Sequence, residues 1–245
     1  MEQIFEYKIN LKPADLDENG NWKLSCALDA AQQAVTAHCN TIGLDWDTMA
    51  SKGLFWVVLR HRMVFYHTVQ AGQTLTVKTW PLPATRAAYP RAVEVLDENG
   101  LVVMRLMSLW VLMDLHTRTM VLPSKSGVDV PGVHQEGELP APQALPAHPG
   151  EQQMLWQVTH EDLDINGHVN NVRYLDHCQF LAGDYAAKHP VKQLQICYLA
   201  EVLSHQKITL RYTLHDGILT VDGTRPRTED ASLTERVFSV SIEYI

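Results

Sequence analysis

Two carboxylates, a carboxamide and an imidazole lie within the first seven residues of the stretch 162–171, which has the sequence DLDINGHVNN. Asp164, Asn166 and His168 occupy alternate positions in it, just before a segment with helical periodicity. An imidazole transfers protons near neutral pH, and a carboxamide can polarise a carbonyl or orient water. The stretch therefore predicts chemistry at a carbonyl group, although it lacks a base that would activate water.

The same stretch has a degenerate copy 147 positions earlier, DLDENGN at residues 15–21. Between residues 15–32 and 162–179, eight of eighteen positions are identical. Asn21 stands in the first copy where the second has His168. The repeat predicts a duplicated fold in which only the second half carries the reactive side chains.

Both halves show the same succession of predicted elements: a short extended segment, the Asp-rich turn, an amphipathic helix and a series of strands. The helices begin near Leu24 and Tyr174 and end near Gly43 and before Pro190. The predicted strands are 55–62, 74–80, 89–96 and 101–115, then 194–202, 207–214, 218–223 and 235–245, with turns at 97–100 and 215–217. This order predicts an α+β fold in which each antiparallel sheet curls around its own helix.

Residues 131–153 are rich in proline and glycine and have no clear period, which is typical of a linker. The sequence thus predicts an N-terminal domain at 1–130 and a C-terminal domain at 154–245. A chain of 245 residues is long for one domain and comfortable for two.

Composition narrows the class of protein. The chain contains no window of eighteen apolar residues, so the sequence predicts no membrane-spanning helix. Its net charge of −8 argues against nucleic acid as the main partner. The four cysteines form no CxxC pair, and the N-terminus lacks the features of a signal or transit peptide. These features predict a cytoplasmic protein, and no pattern predicts a cofactor.

The Asp-rich stretch allows three interpretations. A tight turn that caps a helix would explain Asp164 and Asn166 but not His168. A calcium-binding loop would need Glu at its twelfth position, where Arg173 and, in the first copy, Cys26 stand, so a calcium site is excluded. A catalytic element explains the imidazole, provided that another segment supplies the base.

Residues 164–171, followed three residues later by Tyr174, resemble the active-site signature of the acyl-acyl-carrier-protein (acyl-ACP) thioesterases. These enzymes have a tandem double hotdog fold, in which each half is a long helix wrapped by a curved antiparallel sheet. The second element of the family is a strand with a Tyr and, three residues later, an essential Glu. Tyr198 and Glu201 occupy those places here. Residues 56–60, 72–80 and 110–114 extend the resemblance through the first half.

The resemblance implies that the protein hydrolyses fatty acyl-ACP to free fatty acid and ACP, with the acyl pocket in the N-terminal domain. Glu201 is expected to be the general base, with Asn166 and His168 orienting substrate and water and Asp164 holding both in place. Backbone N–H groups after Val169 are expected to form the oxyanion hole. Attack by the carboxylate itself, through an anhydride, remains an alternative.

Two departures from the family pattern matter. Many members have a cysteine directly after the Glu, whereas this chain has Val202, which disfavours a thiol nucleophile. The plastid-targeting extension of the plant enzymes is also missing, which favours a bacterial or otherwise cytosolic protein.

The competing functions are acyl-CoA hydrolysis, a hotdog hydratase or dehydratase, and a non-catalytic acyl-binding module. A homodimer is compatible with the sequence, and the basic residues closest to the motif that could dock an acidic ACP are Arg173, Lys188, Lys192, Lys207 and Arg211.

Overall fold

The computed structural model describes residues 3–227, 230 and 232–245. Its chain divides into two compact units. The first unit comprises Met1–Lys23 and Ala27–Gln143, and the second comprises Leu24–Cys26 and Ala144–Ile245. Residues 127–151 contain neither helix nor strand.

In the first unit, an antiparallel sheet with the strand order β1-β3-β4-β5-β2 accompanies one long helix, and the short strand β6 pairs with β5. The helix contacts the sheet through His38, whose ring stacks on Phe5 of β1 at 5.3 Å. Its fully buried stripe includes Ala27, Leu28 and Ala34. The elements are β1 (Phe5–Asn10), α1 (Leu24–Thr41), α2 (Trp46–Ser51), β2 (Leu54–Phe65), β3 (Thr74–Pro81), β4 (Tyr89–Leu96), β5 (Val102–Asp114), β6 (Met120–Val121) and α3 (Pro123–Ser126).

In the second unit, the antiparallel strand order is β8-β11-β10-β9-β7. The ring of Tyr174, on the first helix of this unit, meets Phe238 of β11 at 4.9 Å and Tyr198 of β8 at 5.3 Å, so aromatic contacts join that helix to the sheet. The elements are β7 (Gln152–Gln157), α4 (Arg173–Gln179), α5 (Asp184–Lys188), β8 (Val191–Tyr198), β9 (Lys207–His215), β10 (Ile218–Pro226) and β11 (Thr234–Tyr244).

A close approach inside the second sheet depends on Gly223 of β10. A Cβ atom at this position would lie 2.7 Å from Cζ of the buried Phe238 ring, and closer still to two other ring atoms. Real Cβ atoms do not approach other atoms this closely, so only glycine fits beside the ring.

The predicted α+β architecture is confirmed, and most strand bounds agree within a few residues. The predicted second helix differs, because α4 and α5 are separated by a 3₁₀ turn and by Gly183 at φ 52° and ψ −135°. The predicted strand 194–202 also differs, since β8 ends at Tyr198 and leaves Glu201 beyond it. Helix α2 was not predicted. Within the described residues, no helix is both long and apolar enough to cross a membrane.

Candidate active site

The Asp-rich turn of the second unit is held by hydrogen bonds within its own residues. Asp164 Oδ1 accepts the backbone N–H of Asn166 at 2.8 Å and of His168 at 3.2 Å. The Asp164 N–H donates to the His168 carbonyl at 2.8 Å, and Gly167, at φ 76°, donates to the Asp164 carbonyl at 3.0 Å. A carboxylate that accepts two backbone N–H groups in this way fixes the turn. Asp164 therefore positions the backbone that carries Asn166 and His168.

The first copy of the turn has the same hydrogen bonds. Asp17 Oδ1 accepts the backbone N–H of Asn19 at 2.9 Å and of Asn21 at 2.8 Å. The Asp17 N–H donates to the Asn21 carbonyl at 2.8 Å, and Gly20 donates to the Asp17 carbonyl at 3.1 Å. The turn is therefore a structural unit in both halves, and the imidazole is what distinguishes the second.

The imidazole of His168 and the carboxylate of Glu201 lie side by side. The Val169 N–H donates to the Val202 carbonyl at 2.9 Å, and His168 forms a β-bridge with Leu203. This pairing aligns the turn with the segment after β8 and brings His168 Nε2 to 3.8 Å from Glu201 Oε2. The side chains are 26% and 52% exposed, respectively, so water reaches both. At this exposure the pair adds little to the free energy of folding.

Arg225 of β10 holds the main chain of Glu201. Its Nη1 donates to the Glu201 carbonyl at 2.8 Å and to Gln206 Oε1 at 2.5 Å, while its Nε donates to Glu235 Oε1 at 2.7 Å. Gln206 in turn accepts the Leu203 N–H at 3.1 Å. Glu201 lies outside regular secondary structure, so these contacts restrict its backbone. The sequence did not single out Arg225, because it lies 24 residues from Glu201 and matches no local motif.

The two tyrosines of the motif are structural in this geometry. Tyr198 donates its hydroxyl to the Asn171 carbonyl at 2.9 Å, which ties the end of β8 to the residues before α4. Burial raises the pKa of the Tyr174 and Tyr198 hydroxyls above the ordinary value. Both therefore stay protonated near neutral pH and support the turn.

Asn166 is exposed, and its carboxamide makes no hydrogen bond with any residue that the structure describes. The backbone N–H groups after Val169 were expected to form the oxyanion hole, but most of them donate hydrogen bonds to other protein groups. The Asn170 N–H donates to the Asp162 carbonyl at 2.8 Å, and the Val172 N–H donates to Asn170 Oδ1 at 3.2 Å. Among these positions, Asn171 has an N–H that donates to no described residue.

Asp162, the first carboxylate of the motif, is buried and has a structural task. His177 Nε2 lies 2.9 Å from Asp162 Oδ1, and the His177 ring stacks on Trp156 at 4.1 Å. Burial opposes ionisation of this carboxyl, but hydrogen bonds from His177 and from Thr159 outweigh it. They hold the pKa of Asp162 below its ordinary value.

Two cysteines of the second unit, Cys178 and Cys197, are shielded from solvent, which disfavours a nucleophilic role for them. Cys178 and Cys197 are buried, and burial raises the pKa of the Cys178 thiol. Val202, next to Glu201, is 1% exposed. In the described part of the chain, no three His, Cys, Asp or Glu side chains converge as a metal site would require.

The first unit contains a cavity of about 220 Å³ between α1, α2 and strands β2–β5. Its walls are mostly apolar. The indole N–H groups of Trp56 and Trp110 are satisfied by the Leu44 carbonyl at 3.2 Å and by Ser108 Oγ at 2.9 Å. The principal lining residues are Val35, Met49, Trp56, Tyr89, Arg91 and Trp110.

Comparison with known sequences assigns the family. The sequence model of the Acyl-ACP thioesterase N-terminal domain matches residues 2–123, and that of the Acyl-ACP thioesterase C-terminal domain matches residues 148–236. The chain belongs to the acyl-ACP thioesterase family. Both motif segments lie within the match to the C-terminal domain, and the cavity lies almost wholly within the match to the N-terminal domain.

Two curated members of the family are similar to this chain. The palmitoyl-acyl carrier protein thioesterase, chloroplastic, of Gossypium hirsutum is 25% identical over 190 residues, covering 70% of this chain and 45% of that protein. Its counterpart from Cuphea hookeriana is 23% identical over 187 residues, with the same two coverages. The chain thus matches about half the length of these relatives.

Solved structures identify the fold. An acyl-ACP thioesterase from Bacteroides thetaiotaomicron superposes with a TM-score of 0.84 at 20% identity, covering 99% of this chain and 98% of that one. The 12:0-ACP thioesterase of Umbellularia californica gives 0.81 at 19% identity, covering 100% and 98%. The predicted double hotdog fold is confirmed.

Proposed function

We propose that this protein hydrolyses fatty acyl-ACP thioesters to free fatty acid and ACP, which ends chain elongation. The observation that carries the proposal is the solvent-accessible pair of His168 Nε2 and Glu201 Oε2, 3.8 Å apart. Both residues occupy positions of the acyl-ACP thioesterase motif, and the chain belongs to that family.

Glu201 acts as the general base in this proposal. It takes a proton from a water molecule, whose oxygen attacks the thioester carbon. The carbonyl electrons move onto oxygen, where the Asn171 N–H and the Asn166 carboxamide are the available donors. The C–S bond then breaks, and protonated His168 gives its proton to the departing sulfur. Proton transfer from Glu201 to His168, through water or a small side-chain rotation, restores the starting state.

The first unit houses the acyl chain in this proposal. Its cavity of about 220 Å³ exceeds the roughly 150 Å³ that accommodates benzene in an engineered protein cavity. Trp56, Met49 and Trp110 provide the apolar contact that methylene groups need. The Asp-rich turn of the same unit has Asn21 in place of an imidazole, so the unit binds but does not react.

The carrier protein is the proposed partner, and the exposed basic residues of the second unit are its proposed contacts. Arg173 is paired with Asp176 at 2.9 Å and Lys192 with Glu243 at 2.6 Å. Among the five candidates, the exposed side chains without an ion pair to a described residue are Lys188, Lys207 and Arg211. These three are the best placed to attract an acidic carrier. Activity on acyl-ACP should fall with rising salt more steeply than activity on a small acyl thioester.

The decisive experiment measures thiol release from acyl-ACP and acyl-CoA thioesters of several chain lengths. Glu201→Gln should lower turnover about 100-fold or more, because general-base loss typically removes a factor of about 10²–10⁴. Glu161→Gln, at an exposed position directly before the Asp-rich motif, is the matched control and should leave turnover unchanged. Near-normal turnover of a folded Glu201→Gln variant would remove this residue from the mechanism.

The same panel separates the competing functions. Addition of water to an enoyl thioester without thiol release would mean a hydratase. Acyl binding with no chemistry would mean a carrier module. A single turnover in ¹⁸O-water tests for the anhydride route, because label enters the Glu201 carboxylate only when water attacks the Glu201 carbonyl of an anhydride.

The two copies of the turn provide an internal control. Asn166→Ala and His168→Ala should lower turnover strongly, whereas Asn19→Ala in the first copy should not. Equal losses from both copies would mean two working sites or a purely structural role for the turns.

A further inference from the structure

Arg91 of β4 is a buried cation at the wall of the first-unit cavity. The residue is 5% exposed. Its Nη1 donates to His38 Nδ1 at 3.0 Å and to Thr79 Oγ1 at 3.2 Å, and its Nη2 reaches Cys39 Sγ at 3.9 Å. A guanidinium has five N–H donors, so these contacts leave part of its capacity unused.

All three partners of Arg91 are uncharged. A guanidinium donates but does not accept, so His38 Nδ1 must be the acceptor and the ring is neutral. Burial raises the pKa of the Cys39 thiol, which keeps it protonated. Within the described residues, no Asp or Glu lies at ion-pair distance from Arg91.

A buried charge without a counter-charge is costly, and buried arginines are normally paired with a carboxylate or phosphate. Burial accordingly lowers the pKa of Arg91 below its ordinary value. The one carboxylate at the cavity wall, Asp45, is committed to the start of α2, where it accepts the Thr48 N–H at 3.0 Å and the Thr48 hydroxyl at 2.7 Å. Asp45 remains charged there, so the cavity wall carries one anion and one cation, but no described carboxylate lies at ion-pair distance from the Arg91 guanidinium.

The rest of the cavity wall favours an aliphatic group. Trp56 and Trp110 use their N–H groups elsewhere, and Val35 and Met49 present only apolar surface. A guanidinium on the wall of a mostly apolar cavity suits a ligand with one negative acceptor on a hydrocarbon chain.

We propose that the first-unit cavity binds a medium-length aliphatic chain that carries a carboxylate, with the carboxylate on the Arg91 guanidinium. This inference deepens the proposed function and rests on it for the source of the ligand. One source is the free fatty acid that hydrolysis releases, which would then act as a product inhibitor. The other is an acyl thioester whose far end carries a second carboxyl group.

The first test measures binding of octanoate, octanol and octylamine to the full chain by calorimetry. Octanoate should bind at least tenfold more tightly than octanol, because hydrogen bonds between a guanidinium and a carboxylate are stronger than those to a neutral hydroxyl. Arg91→Met should abolish that preference, and Arg91→Lys should retain part of it. Arg86→Met, a change at an exposed arginine just before β4, is the matched control and should bind like the unmodified protein.

Equal binding of octanoate and octanol to the unmodified protein would overturn the proposal. This outcome does not depend on whether Arg91 variants fold. A preference for octanoate that survives in a folded Arg91→Met variant would also overturn it, because the carboxylate would then bind elsewhere.

Kinetics distinguish the two sources. If the ligand is the product, octanoate should inhibit thiol release, and Arg91→Met should raise its inhibition constant at least tenfold. If the ligand is a substrate end, a thioester with a terminal carboxyl should have a higher kcat/KM than the methyl-terminated thioester of equal length. Arg91→Met should reverse that order.

Octanoate binding without thiol release from any thioester would support the cavity proposal and refute the hydrolase. The cavity proposal and the proposed function can therefore fail separately.

Discussion

Acid destabilisation of the first unit should originate largely at His61 of β2. The residue is 1% exposed, its ring meets Trp110 at 6.2 Å, and burial lowers the pKa of its imidazole to about 3. The ordinary histidine pKa is about 6.5, and one pH unit corresponds to about 1.4 kcal/mol. The whole shift therefore corresponds to about 5 kcal/mol of unfolding free energy.

The direction follows from which state binds the proton. Below pH about 6.5 the unfolded chain protonates His61 and the folded chain does not, so the unfolded state gains stability. The contribution of neutral His61 is complete above the unfolded pKa and is lost as the pH falls towards the folded pKa of about 3. Between pH 6.5 and 4.5 the loss should be about 2–3 kcal/mol.

Urea unfolding followed by tryptophan fluorescence measures this loss at a series of pH values. His61→Leu replaces the imidazole with an apolar side chain of similar size and so removes the titrating group. The unfolding free energy of this variant should therefore fall less steeply below pH 6.5. His67→Leu, at an exposed position shortly after β2, should behave like the unmodified protein. If His61→Leu and the unmodified protein lose stability in parallel, the buried neutral imidazole is not the acid-sensitive group.

Three further predictions concern the second unit. Arg225→Met should lower kcat about tenfold or more with little change in KM, because it releases the backbone of Glu201, while Arg227→Met, at an exposed position just after β10, should leave kcat unchanged. Gly223→Ala should destabilise the protein by about 1–3 kcal/mol through the clash with Phe238, and Phe238→Leu in the same chain should recover part of the loss in urea unfolding. Replacing all four cysteines by Ala or Ser should preserve kcat, and inactivation of a folded Cys197→Ala variant would restore the thiol mechanism.

Local patterns were enough to predict most of the fold. The strand Tyr89–Leu96 and the turn at 97–100 match the prediction, because alternating apolar residues and an Asn-Gly step act over a few neighbours. Helix α2 was not predicted, because six residues are too few to show helical periodicity and because its N-cap residue, Asp45, is equally common in loops. The break before α5 lies in a continuous apolar stripe, where periodicity conceals the positive φ of Gly183.

The candidate site was predictable where its residues are neighbours in sequence. Asp164 and His168 came from one motif, and family resemblance was needed to add Glu201. Two arginines, Arg225 near Glu201 and Arg91 in the cavity, are positioned by contacts between residues far apart in sequence, which no local pattern encodes. A surface arginine and a buried one look alike in sequence, because burial is set by tertiary packing.

The Asp-rich turn has a consequence for how this protein acquired its chemistry. Because Asp17 and Asp164 bind the backbone in the same way, the turn does not need the side chain that follows its glycine. Asn21 and His168 stand at that position with the same backbone hydrogen bonds around them. A gene duplication could thus leave one copy free to gain or lose an imidazole in a single codon change without unfolding either half. A substitution at this position leaves the acceptor Asp of the turn in place, which makes the turn a natural place to install new reactivity by directed evolution.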